Sequence, residues 1–102
     1  MADCSHREIT EYMEMKHIEI SQHALDQMDD RGASNDEVNA AIRNGEQVPA
    51  KKGSFAFRKN FLFEFYWKGK HYTTKQVMPI VKEERDKLVV ITVYVFYFGG
   101  KL

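Results

Sequence analysis

His23, Gln27 and Arg31 are spaced i, i+4 and i+8, so on a helix they form one polar stripe. An imidazole can take or give a proton near neutral pH, and a guanidinium can clamp a phosphate. The plainer alternative is that His23 is an ordinary first-turn residue and Arg31 neutralises the helix C-terminus. A second polar pair, Thr92 and Tyr94, interrupts the otherwise apolar and aromatic run from Leu88 to Phe98. A buried hydroxyl without a partner costs about 1–3 kcal/mol. This pair should therefore meet polar groups across an interface or open onto a cleft, and the nearest candidates from a covering helix are His23 and Arg31.

Basic and aromatic residues interleave in the second half of the chain, at Arg58, Lys59, Tyr66, Trp67, Lys68, Lys70, His71, Tyr72, Lys75 and Tyr94. Aromatic rings stack on unpaired bases and cations hold the backbone, which is the chemistry of contact with single-stranded nucleic acid. Arg58, Trp67, Lys68, Lys70, Tyr72 and Lys75 are the RNA-binding candidates, although ordinary sheets also carry Lys and Tyr on their wet face. The total charge is zero, yet residues 1–50 hold four Lys/Arg against eleven Asp/Glu and residues 51–102 hold eleven against four. That asymmetry fits either one acidic and one basic surface or two halves that neutralise each other in the fold.

Other chemistries lack their residues. Cys4, His6, His17, His23 and His71 form no Cys-x-x-Cys, no His-Glu-x-x-His and no ligand cluster, so neither metal nor cofactor is expected. There is no glycine-rich phosphate loop and no serine nucleophile elbow. A single cysteine cannot form an internal disulfide, and no basic-then-apolar leader opens the chain, so a cytoplasmic setting is expected. The longest apolar run has 11 residues, against the roughly 20 a membrane-spanning helix needs.

Stepping along the chain, helices come first and strands second. With 102 residues, 43% apolar and 13% aromatic, one compact domain is expected over residues 1–102. Ser5 and Glu8 have capping-box spacing before Ile9, Tyr12 and Met13, predicting a short helix near residues 6–16. Ser21 caps a second helix with apolar face Ala24, Leu25 and Met28, ended by Gly32 in the left-handed conformation. Ser34 and Glu37 repeat the capping box before Val38, Ala41 and Ile42, with Gly45 closing this helix in the same way. From Glu46 the period falls to 2: Phe55, Phe57, Phe61, Phe63 and Phe65 share one face, with a turn expected at Arg58-Lys59-Asn60. Lys68-Gly69-Lys70 reads as a hairpin turn, Tyr72 to Val81 as the next strand, and Glu83 to Lys87 as a charged loop. The last strand, Leu88 to Phe98, suits a central position with both faces covered, its odd residues Val89, Ile91, Val93 and Val95 forming core. The architecture is α+β, with N-terminal helices packed on one face of a twisted, mainly antiparallel β-sheet.

The run Ile20-Ser21-Gln22-His23-Ala24-Leu25-Asp26-Gln27-Met28-Asp29-Asp30-Arg31-Gly32, followed by Ser34, Glu37-Val38 and Ala41-Ile42-Arg43-Asn44-Gly45, closely resembles the opening of the domain of unknown function 4258 family. Val90-Ile91-Thr92-Val93-Tyr94 resembles that family's late strand. Together they cover roughly residues 16–98, which makes 17–98 the family-like core and 1–16 an N-terminal helical extension. Gln27 stands where the family often has Arg, and Ala33 where it often has Ile. The resemblance implies a RelE-like or barnase-like ribonuclease fold of the kind found in toxins of toxin–antitoxin pairs. It also implies metal-independent RNA cleavage through attack of the ribose 2′-OH on its own phosphate. On that reading His23 is the base or acid, Arg31, Arg58 and Lys75 clamp the phosphate, and Thr92 and Tyr94 face it. The partner is then RNA. The alternative is a non-catalytic module that binds an antitoxin-like protein through its aromatic sheet or acidic helices.

Overall fold

A computed structural model describes residues 17–99 of the chain. The helix expected near residues 6–16 lies outside the described residues. Strand β1 (His17–Ile20) leads into helix α1 (Gln22–Arg31), then helix α2 (Asn35–Asn44), strand β2 (Glu46–Val48), and three long strands, β3 (Phe55–Trp67), β4 (Lys70–Glu83) and β5 (Lys87–Phe98).

The helix signals act as the sequence suggests, with one exception. The Ser21 hydroxyl accepts from the Ala24 N–H at 3.2 Å. At α2 the capping box closes in both directions, Glu37 N–H to Ser34 Oγ at 3.1 Å and Ser34 N–H to Glu37 Oε1 at 3.0 Å. Gly32 adopts φ 83°, and its N–H donates to the Met28 carbonyl at 2.8 Å. Gly45, expected in the same left-handed state, has φ −83° and ψ 178° instead. The chain passes there directly from α2 into β2, and the extended backbone makes that switch without a left-handed step. Glycine is needed at Gly45 for space: an added Cβ would run into the carbonyl oxygens of Ala41 and Arg58.

The sheet is mixed and five-stranded, in the order β1-β5-β4-β3-β2. β1 pairs with β5 in parallel, and the remaining neighbours are antiparallel. No turn forms at Arg58-Lys59-Asn60, because Lys59 and Asn60 pair with Val77 and Gln76 and carry β3 through to Trp67. The hairpin turn does form at Lys68 and Gly69, with φ of 50° and 84°. Two consecutive positive φ values match the tight turn whose twist suits a hairpin. β4 is longer at both ends than the expected Tyr72 to Val81, running from Lys70 to Glu83.

Both helices lie on one face of the sheet. Ala24 and Met28 of α1 and Val38 and Ile42 of α2 pack with Phe57, Val77, Val81, Leu88, Val90 and Val93 into one core. Leu25, expected in the apolar face of α1, is exposed. The alternation expected along the last strand fails at Ile91. Val90 pairs with Val81 and Thr92 pairs with Ile80, which leaves Ile91 as an extra residue in a β-bulge. Below the bulge Leu88 and Val90 are buried, above it Val93 is, and Ile91 itself is 36% exposed. Among the described residues β5 is accordingly covered on one face only: Tyr94, Phe96 and Phe98 are 41%, 45% and 43% exposed. A second irregularity, at Glu64 with φ 46°, shifts the β3–β4 register between Leu62 and Phe65. It breaks the single phenylalanine face expected from period 2, and Phe65 stands exposed.

The two glycines should fail by different routes. Gly32→Ala places a Cβ 2.7 Å from the Tyr97 hydroxyl and 2.8 Å from the Trp67 ring, at a backbone angle that L-residues avoid, and should cost about 1–3 kcal/mol by denaturant titration. Gly45→Ala should destabilise too, because its Cβ would meet backbone carbonyls. A D-alanine at position 45 should bring no relief, since D-residues avoid its φ of −83°, whereas a D-alanine at position 32, where φ is positive, should remove the backbone part of the penalty.

Candidate functional site

The site begins where strand β1 stops. β1 covers β5 only as far as Val90, whose carbonyl accepts from the Ser21 N–H at 3.0 Å. From there the chain turns into α1, and the next outward-facing backbone groups of β5 are met by side chains. Gln27 Oε1 accepts from the Val93 N–H at 2.8 Å, and Arg31 Nη1 donates to the Val93 carbonyl at 2.7 Å. The i, i+4 ridge of α1 thus stands in for a missing strand and satisfies a sheet edge that would otherwise be an open ladder. Glutamine is suited to its half of this bracket because its amide carbonyl can accept. An arginine there would have donors only.

A clamp at the end of α1 sets where Arg31 points. The Arg31 carbonyl accepts from the Tyr97 hydroxyl at 2.7 Å, and the Gly32 carbonyl accepts from Lys75 Nζ at 2.7 Å. Lys75 is 7% exposed and also pairs with Glu37 Oε1 at 2.8 Å. The same carboxylate closes the α2 capping box, so one glutamate ties α2 to α1 and to the sheet. Trp67 stacks on Tyr97 with ring centres 4.9 Å apart and 17° between planes, and Tyr72 and Phe63 lean on Tyr97 from the sides. Burial, aided by the Glu37 charge, pushes the Tyr97 phenol up to about 12, so it stays a donor throughout the physiological range.

Of the expected catalytic group, the structure joins Arg31 to Tyr94: the guanidinium carbon lies 5.5 Å from the ring centre, within cation–π range. Among the described residues no helix covers Thr92 and Tyr94. They face the uncovered side of the sheet and line a hollow of about 320 Å³ beside the Pro49–Ser54 loop. Their hydroxyls therefore open onto a cleft, where the sequence left burial against polar partners as the other outcome. His23 is exposed and shares a shallow groove along α1 with Gln27 and Arg31, together with the carboxylates of Asp26, Asp29 and Asp30. The Arg31–Tyr94 contact joins this groove to the hollow.

The six RNA-binding candidates are dispersed. Trp67, Lys68, Lys70 and Tyr72 cluster at the β3–β4 hairpin end, where Lys68 lies over Trp67 at 5.7 Å and Lys70 over Tyr72 at 5.6 Å. Arg58 pairs with Glu46 at 2.7 Å on the uncovered face. Lys75 is interior, and its ammonium is committed to Gly32 and Glu37. Sequence reasoning missed the bracket made by Gln27 and the loop that walls the hollow. The only signal for the latter was the Lys51-Lys52-Gly53 turn.

Among the described residues no group of three or more His, Cys, Asp or Glu is placed to hold a metal ion, and no helix is long and apolar enough to cross a membrane. Residues 20–95 match the model of a family described as domain of unknown function (DUF4258). No curated protein and no solved structure matches the chain.

The bracket predicts an asymmetry between two substitutions. Gln27→Glu keeps an acceptor for the Val93 N–H, whereas Gln27→Arg removes it. The arginine variant should lose about 1–3 kcal/mol and show faster hydrogen exchange at the Val93 amide, while the glutamate variant keeps that amide protected.

Proposed function

We propose that this chain, which belongs to the DUF4258 family, is a RelE-like, toxin-type protein that cleaves RNA without a metal at the edge of strand β5. The observation that carries the reading is the contact of Arg31 with Tyr94, at the point where the His23 groove meets the uncovered sheet face. In the reaction the ribose 2′-OH attacks the adjacent phosphorus, the bond to the 5′-oxygen of the next nucleotide breaks, and a 2′,3′-cyclic phosphate and a 5′-hydroxyl result. A base takes the 2′-OH proton and an acid returns one to the leaving oxygen. His23 fills one of those roles. The guanidinium of Arg31, with one donor spent on Val93, has others left for the phosphate oxygens, where charge grows in the transition state. Tyr94 supplies a hydroxyl at the rim of the hollow.

Asp26, Asp29 and Asp30 disfavour a polyanion laid along α1. RNA therefore approaches Arg31 from the uncovered face, over Tyr94 and Phe96, whose rings are near-parallel at 18°, and only the reacting nucleotide crosses the β5 edge toward His23. One observation favours a second reading, a non-catalytic module for an antitoxin-like protein: Leu62 is 85% exposed on a face that also exposes Phe96 and Phe98, and such apolar surface often marks a protein interface.

Incubation of the protein with a mixed RNA pool in EDTA separates the two. The expected result is products ending in 2′,3′-cyclic phosphate, lost in His23→Ala. Tyr94→Phe removes one hydroxyl and little volume, so its unfolding free energy should match the wild type within about 0.5 kcal/mol while cleavage drops tenfold or more, about 1.4 kcal/mol in the barrier. Intact RNA with the wild-type protein, or full activity in Tyr94→Phe, contradicts the proposal.

A further inference from the structure

We propose that the hollow beside Tyr94 is a subsite for one nucleotide of the RNA, its base on the apolar floor and a flanking phosphate at Lys51. This rests on the reading above and adds the part of the site that would select among bases.

The floor is apolar and comes from three adjacent strands. Ala56 pairs with Ile80 and Ile80 with Thr92, while Met78 pairs with Tyr94, so these side chains form neighbouring rows on the uncovered face. The bulge adds Ile91, turned outward by the extra residue, to the same floor. Two irregularities of chain thus create the hollow: the β-bulge in β5 and the loop between β2 and β3. That loop is a fixed wall, because the Lys51 carbonyl accepts from both the backbone N–H of Ser54 at 3.0 Å and its hydroxyl at 2.9 Å, with Gly53 at φ 88° making the turn.

The chemistry of the rim selects the ligand class. Among the described residues no carboxylate lines the hollow, whereas three line the groove on the α1 side. Lys51 makes no ion pair among the described residues. Thr92 and Tyr94 offer hydroxyls that can donate to or accept from the edge of a base, and Tyr94 and Met78 offer surfaces for a flat ring. A ligand with a planar apolar body, hydrogen-bonding edges and negative charge at its ends meets all of these, and a nucleotide is that ligand. The volume of about 320 Å³ is that of a single small-ligand site. Tyr94 belongs to the hollow and touches Arg31, so a base held there leads its ribose–phosphate toward the guanidinium. Its other phosphate lies on the Lys51 side.

NMR titration of the full chain with each of the four nucleoside 5′-monophosphates, with the corresponding nucleosides and with inorganic phosphate tests this directly. At least one monophosphate should bind saturably, with Kd on the order of 1 mM or tighter, and shift the amides of Ala56, Ile80 and Thr92. Lys51→Glu, in the exposed loop, should weaken monophosphate binding about tenfold and nucleoside binding less. Met78→Trp should fill the hollow and abolish both. Its melting curve confirms folding, and Lys51→Glu carries the test if it does not fold. Equal response to inorganic phosphate alone, shifts that miss the hollow, or no saturation by any monophosphate would overturn the subsite. Nucleotide binding without RNA cleavage would remove the ribonuclease reading and leave the subsite. RNA cleavage with the same base preference in wild type, Lys51→Glu and Met78→Trp would do the reverse.

Discussion

Two backbone carbonyls at the end of α1, those of Arg31 and Gly32, hold the arrangement together. The last carbonyls of a helix lack partners within it, and here the sheet supplies them through Tyr97 and Lys75. Lys75 is a charged donor in a nearly dry setting, and a hydrogen bond of that kind contributes about 1.5–3 kcal/mol. Its ammonium is neutralised by Glu37, so the interior holds a paired charge rather than an isolated one. Gly32 is required at this spot twice over, for its positive φ and because Tyr97 and Trp67 pack where a Cβ would be. With the helix end pinned, Arg31 has one direction in which to reach, across the β5 edge to Val93 and Tyr94.

The bulge at Ile91 completes the layout. It lets one strand put Leu88 and Val90 under the helices at one end and Val93 at the other, while Ile91, Thr92 and Tyr94 face outward together. Without the extra residue, strict alternation would send either Val90 or Val93 to the wrong side. The core and the outer hollow therefore depend on the same irregularity. The edge bracket made by Gln27 and Arg31 starts one residue beyond Thr92, where β1 no longer covers the strand.

Much of this was legible in the chain itself. Ser21, Ser34 with Glu37, and Gly32 mark helix ends by local chemistry that acts within four residues, and local chemistry survives folding. Lys68-Gly69 marks its turn for the same reason. Gly45 misled because its need for glycine is one of space and not of a left-handed φ: a Cβ there would meet the carbonyl oxygens of Ala41 and of Arg58, the second distant in sequence. The bulges at Glu64 and Ile91 were hidden because period-2 reading assumes a regular ladder, and an inserted residue reverses every side chain after it. At the site, the helical spacing of His23, Gln27 and Arg31 was visible, and so was the oddity of Thr92 and Tyr94. What composition could not reveal was allegiance: Lys75 looked like a phosphate clamp and Gln27 like a lost charge, yet one anchors two helices and the other completes a sheet.

The central claim is that RNA meets this chain at the β5 edge, with Arg31 on its backbone and Tyr94 beneath it. An NMR titration of the full chain with a short 2′-O-methyl RNA tests it most directly, since that ligand lacks the attacking hydroxyl and stays intact. The account predicts shifts at the Arg31 Nε–H, the His23 ring and the amides of Val93 and Tyr94, fading as salt rises. Shifts confined to the Lys68-Gly69 hairpin, with Arg31 and Tyr94 unmoved, would contradict it.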